Sequence, residues 1–219
     1  YFKYKFFQTF LGYNLKRMGK DILQKKIIND LKEKYNVFRI YPEDSFTGHT
    51  LALKYKHMGI ELIEQDIREA FRFPPITDQR NIELLKKIQS TNSVSVHARR
   101  SDLLFVNEYC YKYGFFRRSI RYIKKKVKNP LFIFFTDENS IGWCEKNEKI
   151  FGLDFSKDQV LFVTWNKGND SYRDMQLMAE CKHNIFTESS FGFWGAYLNK
   201  NPNKITCSPD VAVISTNTF

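Results

Sequence analysis

The chain has 219 residues, of which 42% are hydrophobic and 27% charged. That is enough apolar material for a packed core and excludes a globally disordered polymer. The formal net charge of +11 favours polyanionic partners: nucleic acid, anionic membrane surfaces or phosphorylated small molecules.

Residues 14–35 place Leu15, Met18, Ile22, Leu23, Ile27 and Leu31 at helical spacing, with Gly19 weakening the middle. Residues 36–41, "NVFRIY", read as a strand stopped by Pro42. A second helix is expected over 58–72, with Ile60, Ile63, Ile67 and Phe71 on one stripe, ended by Pro74 and Pro75. Residues 79–90 read as a third helix. Residues 1–90 are therefore expected to form a mostly helical N-terminal domain.

The pattern changes near residue 92. "SVSVHA", "PLFIFFTD" (130–137), "QVLFVT" (159–164), "NIFTESS" and "KITCSP" read as strands. Helical stretches separate them at 113–127, 139–149, 171–182 and in "GFWGAYLNK". Alternation of this kind predicts an α/β domain with a parallel sheet over 91–219. No run approaches about 18 apolar residues, so no transmembrane helix is expected, and no signal-peptide pattern is visible.

The basic residues gather at Lys16–Lys20, Lys25–Lys34 and Arg117–Lys128. In "RRSIRYIKKKVK", Ile120, Ile123 and Val127 share a helix face and the cations take the others. That pattern fits a solvated face or an anionic surface partner. The basic stretches match no nucleic-acid-binding motif. Cys110, Cys144, Cys181 and Cys207 form no C-x-x-C pair and read as isolated thiols. His49, His57, His97 and His183 show no H-x-x-x-H spacing, so a structural metal is not expected. The 21 Phe and 12 Tyr read as core filling.

Parallel sheets bind ligands beyond the carboxyl ends of their strands. The residues expected there are His97, Arg99, Arg100 and Asp102, then Asp137 and Glu138, then Trp165 and Asn166, then Glu188, Ser189 and Ser190. Two adjacent arginines suit a diphosphate, because guanidinium donors match phosphate oxygens two at a time. Asp102 could orient an arginine or accept from a ribose or base. Ser189 and Ser190 stand at a helix start, which fits an anion site or simple N-capping. Asp137 is expected to cap a helix, His183 to be structural, and Phe191, Phe193 and Trp194 to be core.

"HARRSD" resembles the H-x-R-R-x-D motif of the α-1,2- and α-1,6-fucosyltransferases. "FFTDENSIGWCEKN", "RDMQLMAECKHNIFTESSFGFWGAYLN" and "NPNKITCSP" are similar, in order and spacing, to blocks of the α-1,2-fucosyltransferases of glycosyltransferase family 11. "IELIEQDIREAFRFPPI" resembles the helix ahead of the motif. The likeness spans roughly residues 58–210.

The resemblance implies a GT-B architecture, with residues 91–219 as the Rossmann-like nucleotide-sugar domain and 1–90 as a partial acceptor-side domain. It implies inverting, metal-independent transfer of L-fucose from GDP-β-L-fucose to the 2-hydroxyl of a galactoside, with no cofactor. Arg99 and Arg100 would contact the diphosphate and carry catalysis. His97, Asp102, Glu188, Ser189 and Ser190 would complete the donor pocket, and Asp174 matches an acidic position of the family. The expected partners are GDP-fucose and a galactose-terminated glycan or glycolipid, with peripheral membrane contact and no nucleic acid. The expected location is cytoplasmic, or a secretory membrane if an anchor precedes Tyr1. The chain departs from the family pattern at Ser101, Glu188 and Phe193, and lacks a G-G-L-G-N-Q block. The missing block and Glu188 motivate an alternative: a degenerate, non-catalytic GDP-sugar-binding protein.

Overall fold

The computed structural model describes residues 64–209. The chain divides into two compact units, Tyr1–Arg72 with Ala212–Phe219, and Phe73–Val211. The helix predicted over 14–35, the strand over 36–41, and His49 and His57 lie outside the described residues. Of the first unit, helix α1 (Glu64–Ala70) is described, within the helix predicted over 58–72.

The second unit opens with helix α2 (Gln79–Ser90). Asp78 caps it, Oδ1 accepting the Asn81 backbone N–H at 2.9 Å, which satisfies one of the helix's orphan donors. Leu84 and Ile88, one turn apart, are buried.

Five parallel strands follow: β1 (Asn92–Ala98), β2 (Pro130–Thr136), β3 (Gln159–Val163), β4 (His183–Phe186) and β5 (Thr206–Cys207). Their order is β3-β2-β1-β4-β5, so the sheet expected from the sequence is present. Val96 sits between Phe134 and Ile185 in register. The connecting helices are α3 (Leu104–Lys112), α4 (Phe115–Lys126), α5 (Ile141–Lys146), α6 (Glu148–Phe151), α7 (Tyr172–Glu180) and α8 (Ser190–Leu198).

Three elements differ from the sequence expectation. The helix expected over 113–127 is α4, and α3 precedes it unannounced. Gly114 (φ 74°) turns the chain between them in the left-handed region that favours glycine. The helix expected over 139–149 is a 3₁₀ turn (Glu138–Ser140) and two short helices, ended by Gly152 at φ 69°. The strand read in "NIFTESS" stops at Phe186. The Glu188 N–H goes to the Asn107 side chain at 2.8 Å, leaving the ladder.

The helices cover both faces of the sheet. Val94, Val96, Ala98, Phe132 and Phe134 face a core shared with Phe116, Ile120 and Ile123 of α4. Leu131, Ile133, Phe135 and Val163 face a second core, with Leu84 and Ile88 of α2 and Leu177 and Met178 of α7. The alternation follows from the two-residue period of a strand.

Strand β1 is polar on its other face. Ser93 donates to the Ile88 carbonyl at 2.9 Å. Asn184 donates to Ser95 Oγ at 2.8 Å and to the Met178 carbonyl at 2.8 Å. Asn199 donates to Asn184 Oδ1 at 2.7 Å and to the Cys181 carbonyl at 2.6 Å. These buried groups are satisfied, as the cost of leaving them bare requires.

The chain steps from β1 out to β3, then returns to the far side of β1 with β4. The order therefore reverses between β1 and β4, the position where parallel sheets open a ligand crevice at their carboxyl ends. The four cysteines are free thiols. No helix among the described residues is long and apolar enough to cross a membrane.

Candidate active site

The loop after β1 carries Arg99 and Arg100, and both neighbouring strands fasten it. From β4, Thr187 donates its N–H to the His97 carbonyl at 3.2 Å, and its hydroxyl oxygen accepts the Arg99 N–H at 3.0 Å. From β2, the Thr136 hydroxyl donates to the Ala98 carbonyl at 2.7 Å. Asp137 Oδ2 accepts the backbone N–H groups of Arg100 at 2.9 Å and Ser101 at 3.2 Å. Tyr111 of α3 donates its hydroxyl to the Arg99 carbonyl at 2.9 Å.

Asp137 thus does not cap a helix, as expected, but ties down the arginine loop. It makes no capping bond to the turn it precedes. Its other oxygen accepts from Ser140 Oγ at 2.6 Å. Burial pushes its pKa up, but these hydrogen bonds outweigh it and hold the carboxyl below its usual range.

The Arg100 guanidinium lies 4.0 Å over the Trp143 ring, a cation–π contact that fixes its plane. Its Nε is buried and makes no hydrogen bond. Arg99 donates to Asp102 Oδ2 at 2.8 Å, the side chains 33% and 60% exposed. The pairing is the arginine partnership that was one of the two roles read for Asp102.

His97 lies beneath the rim at 4% exposure. Burial, with the Arg99 charge beside it, lowers its pKa to about 4, so the ring is neutral near neutral pH. A Cβ on Gly192 of α8 would stand 2.6 Å from His97 Nδ1, so the missing side chain lets the helix close over the imidazole.

Ser189 is the N-cap of α8, yet its side chain makes no capping bond, and Ser190 is exposed. The N-capping alternative is therefore not realised. Asn107, fully buried, clamps the neighbouring backbone: its Oδ1 accepts the Glu188 N–H and its Nδ2 donates to the Glu188 carbonyl at 3.1 Å. Burial raises the Cys110 thiol to about 12, and the Glu188 charge adds to the rise. The structure thus brings His97, Arg99, Arg100 and Asp102 on one strand end against Glu188, Ser189 and Ser190 on the next.

The family described as "Glycosyl transferase family 11" matches residues 11–210. The chain belongs to glycosyl transferase family 11. Among curated proteins it is 38% identical over 133 residues to "Alpha-1,2-colitosyltransferase" of Escherichia coli, covering 58% of this chain and 43% of that one. It is 32% identical over 110 residues to "Galactoside alpha-(1,2)-fucosyltransferase 1" of Saimiri sciureus, covering 48% of this chain and 28% of that one. It is 30% identical over 138 residues to "O-antigen biosynthesis glycosyltransferase WbnK" of Escherichia coli, covering 59% and 42%. Each match spans less than half the length of the relative. The shared class is glycosyltransferase.

In this family 11 chain the end of β3 serves a different purpose from the arginine loop. Trp165 Nε1 donates to Asn81 Oδ1 at 2.8 Å. Asn81 donates to Asn166 Oδ1 at 2.7 Å, and Asn166 donates to Asp174 Oδ1 at 2.7 Å. The bonds join α2, β3 and α7. Burial pushes the Asp174 carboxyl up to about 7, against the hydrogen bond from Asn166. Glu138 pairs with Lys167 on the exposed rim. Phe191, Phe193 and Trp194 are partly buried, not fully core. Phe193 and Trp194 cluster with Tyr197 at 5.5–5.7 Å. His183 is structural, Nδ1 accepting the Ile205 N–H at 3.0 Å.

Sequence reading missed Asn107, Tyr111, Thr187 and the stacking partner Trp143. Thr187 carried a local signal, one position ahead of the predicted rim residues. Asn107 and Tyr111 carried none, because their helix was not anticipated.

Proposed function

We propose that this protein transfers L-fucose from GDP-β-L-fucose to the 2-hydroxyl of a galactoside, inverting and without a metal. The observation that carries the reading is the Arg99–Arg100 loop, fastened by backbone hydrogen bonds where the strand order reverses. Family membership and the α-1,2 names of two relatives support it. The Phe73–Val211 unit would hold the donor.

In this mechanism the acceptor oxygen attacks the anomeric carbon opposite the diphosphate. The anomeric C–O bond breaks, and its electron pair passes to the diphosphate oxygen. The acceptor proton leaves to a base. Charge grows on the diphosphate as the bond lengthens, and preorganised guanidinium donors in a partly dry crevice stabilise it. Arg100, stacked on Trp143, would face the most developed charge. Arg99, held by Asp102, would close the other side. Neutral His97 would wall the pocket, while Ser189, Ser190 and the backbone at Glu188 would border it at the start of α8.

The test is transfer of radiolabelled fucose from GDP-fucose to a β-galactoside by the full chain, with and without EDTA. Arg100→Ala is expected to abolish transfer while leaving the melting curve unchanged. Unchanged turnover in that variant overturns the reading. The 38% identical relative named for colitosyl transfer favours one second reading, in which the donor carries a colitosyl group. Competing the two donors in one assay decides between them. Calorimetric binding of GDP without transfer of either sugar would identify the degenerate, non-catalytic binder.

A further inference from the structure

Helix α4 has an outer face that no site feature uses. From Phe115 to Lys128 the sequence holds Arg117, Arg118, Arg121, Lys124, Lys125, Lys126 and Lys128, and no acid. All seven are exposed. The helix's other face, with Phe116, Ile120 and Ile123, is fully buried in the first core.

A solvated structural face would interleave acids. Arg117, Arg121 and Lys125 instead repeat at i, i+4, where like charges repel and weaken a helix. Lysines in the last turn suit the negative end of the helix dipole, but Arg117 and Arg118 stand near the positive end, which disfavours them. Gly114, at the N-cap, offers no side chain to offset this. Arg117 donates to the Lys149 carbonyl and Arg118 to the Tyr113 carbonyl, bonds that leave both charges unneutralised. Lys124 pairs with Asp158 at 2.6 Å. Among the described residues, Arg121, Lys125, Lys126 and Lys128 make no ion pair.

Two aromatics border the cations. Tyr122, 50% exposed, lies on α4 itself, and Tyr113, 67% exposed, lies just ahead of it. An amphipathic ring beside a row of lysines is the composition of a membrane interface. The cations lie on the outer side of a single helix whose inner side is core, so they present a face and not a groove that tracks a polynucleotide backbone. We propose that this face of α4 docks the protein on an anionic lipid bilayer. The cations meet the headgroup charge and Tyr122 meets the interface, with no insertion of the helix. This inference does not depend on the proposed reaction.

The test is co-sedimentation of the full chain with 3:1 phosphatidylcholine:phosphatidylserine vesicles, with pure phosphatidylcholine vesicles and a short duplex DNA as comparators. A cation near such a surface is worth about five-fold in affinity, so R121E/K125E is expected to weaken binding by about 25-fold or more. The charge-matched K86E/K87E changes exposed lysines of α2, whose buried side packs in the other core. It is expected to change binding by less than about three-fold, because charges beyond a Debye length are screened. R121Q/K125Q, which removes the two cations without reversing them, should lose about 25-fold, and the reversed pair more. Circular dichroism confirms that each variant is folded. Equal binding to both lipid compositions, equal losses in the two reversed variants, or tighter binding to the duplex than to the charged vesicles each overturns the proposal.

Discussion

Asp137 Oδ2 accepts the Arg100 backbone N–H at 2.9 Å, although 37 residues separate them in the chain. The same oxygen accepts the Ser101 N–H, while the other oxygen accepts from Ser140 Oγ. Asp137→Ala takes the partner from the part-buried Arg100 N–H and returns the exposed Ser101 N–H to water, a loss of about 1 kcal/mol, the net worth of a hydrogen bond. The expected outcome is a fall in kcat/KM of about 100-fold, the scale for a misplaced catalytic constellation, with urea unfolding reporting the smaller stability loss. Because Asp137 has a lowered pKa in the folded state, its stabilisation is full above the unfolded carboxylate pKa and lost as pH falls through the folded one. Full activity in the alanine variant would show that the loop holds itself.

Trp143 supports Arg100 by stacking alone. Trp143→Phe keeps an aromatic face, and Trp143→Ala removes it. A cation–π contact is worth about 0.5–2 kcal/mol, so titration calorimetry with GDP should weaken by about 2–30-fold for alanine and less for phenylalanine. Equal losses in the two variants would mean that the ring acts through core packing.

Gly192 admits no side chain without movement. An added Cβ would stand 2.6 Å from His97 Nδ1 and 2.9 Å from Phe186 Cβ. Gly192→Ala is therefore expected to lose about 1–3 kcal/mol, the usual cost of overpacking, measured by urea unfolding. An unchanged midpoint would show that α8 can shift away from the imidazole.

Asp174 gives a pH signature. Its folded pKa is raised to about 7 from 3.8, so between those values the folded state holds more protons than the unfolded. Its contribution to stability is therefore fullest below the unfolded pKa and declines as pH rises toward 7. His97, lowered to about 4 from 6.5, gives the opposite slope between its own values, so the comparison must be between variant and parent. Asp174→Asn keeps an oxygen acceptor for Asn166. Its melting temperature relative to the parent is expected to climb between pH 5 and pH 8, by about 2–4 °C for each kcal/mol at this chain size. A constant difference across pH would remove Asp174 as the source.

The sequence announced the sheet because its strands are buried on both faces and read as apolar runs, as in "LFIFF". It announced the arginines because charge directly after such a run is unusual. It did not announce α3, whose "LFVNEYCYK" leaves no single apolar stripe. It also could not show that one oxygen of Asp137 reaches back to the loop after β1 while the other holds Ser140 of its own turn. A carboxylate before a helical stretch is the local pattern of a cap, and only the pairing of β1 with β2 brings the Arg100 N–H within reach. The same holds for Asn107 and Glu188, whose contact spans 81 residues.

The fastening of the arginine loop bears on transplantation. Moving "VSVHARRSD" onto another parallel sheet would carry the two guanidinium groups but not their aim. The recipient would also need a threonine and an aspartate ending the strand on one side, and a threonine one step past the strand on the other. The smallest portable module is therefore three adjacent strand ends with Trp143 included, assembled from segments scattered between residues 94 and 187.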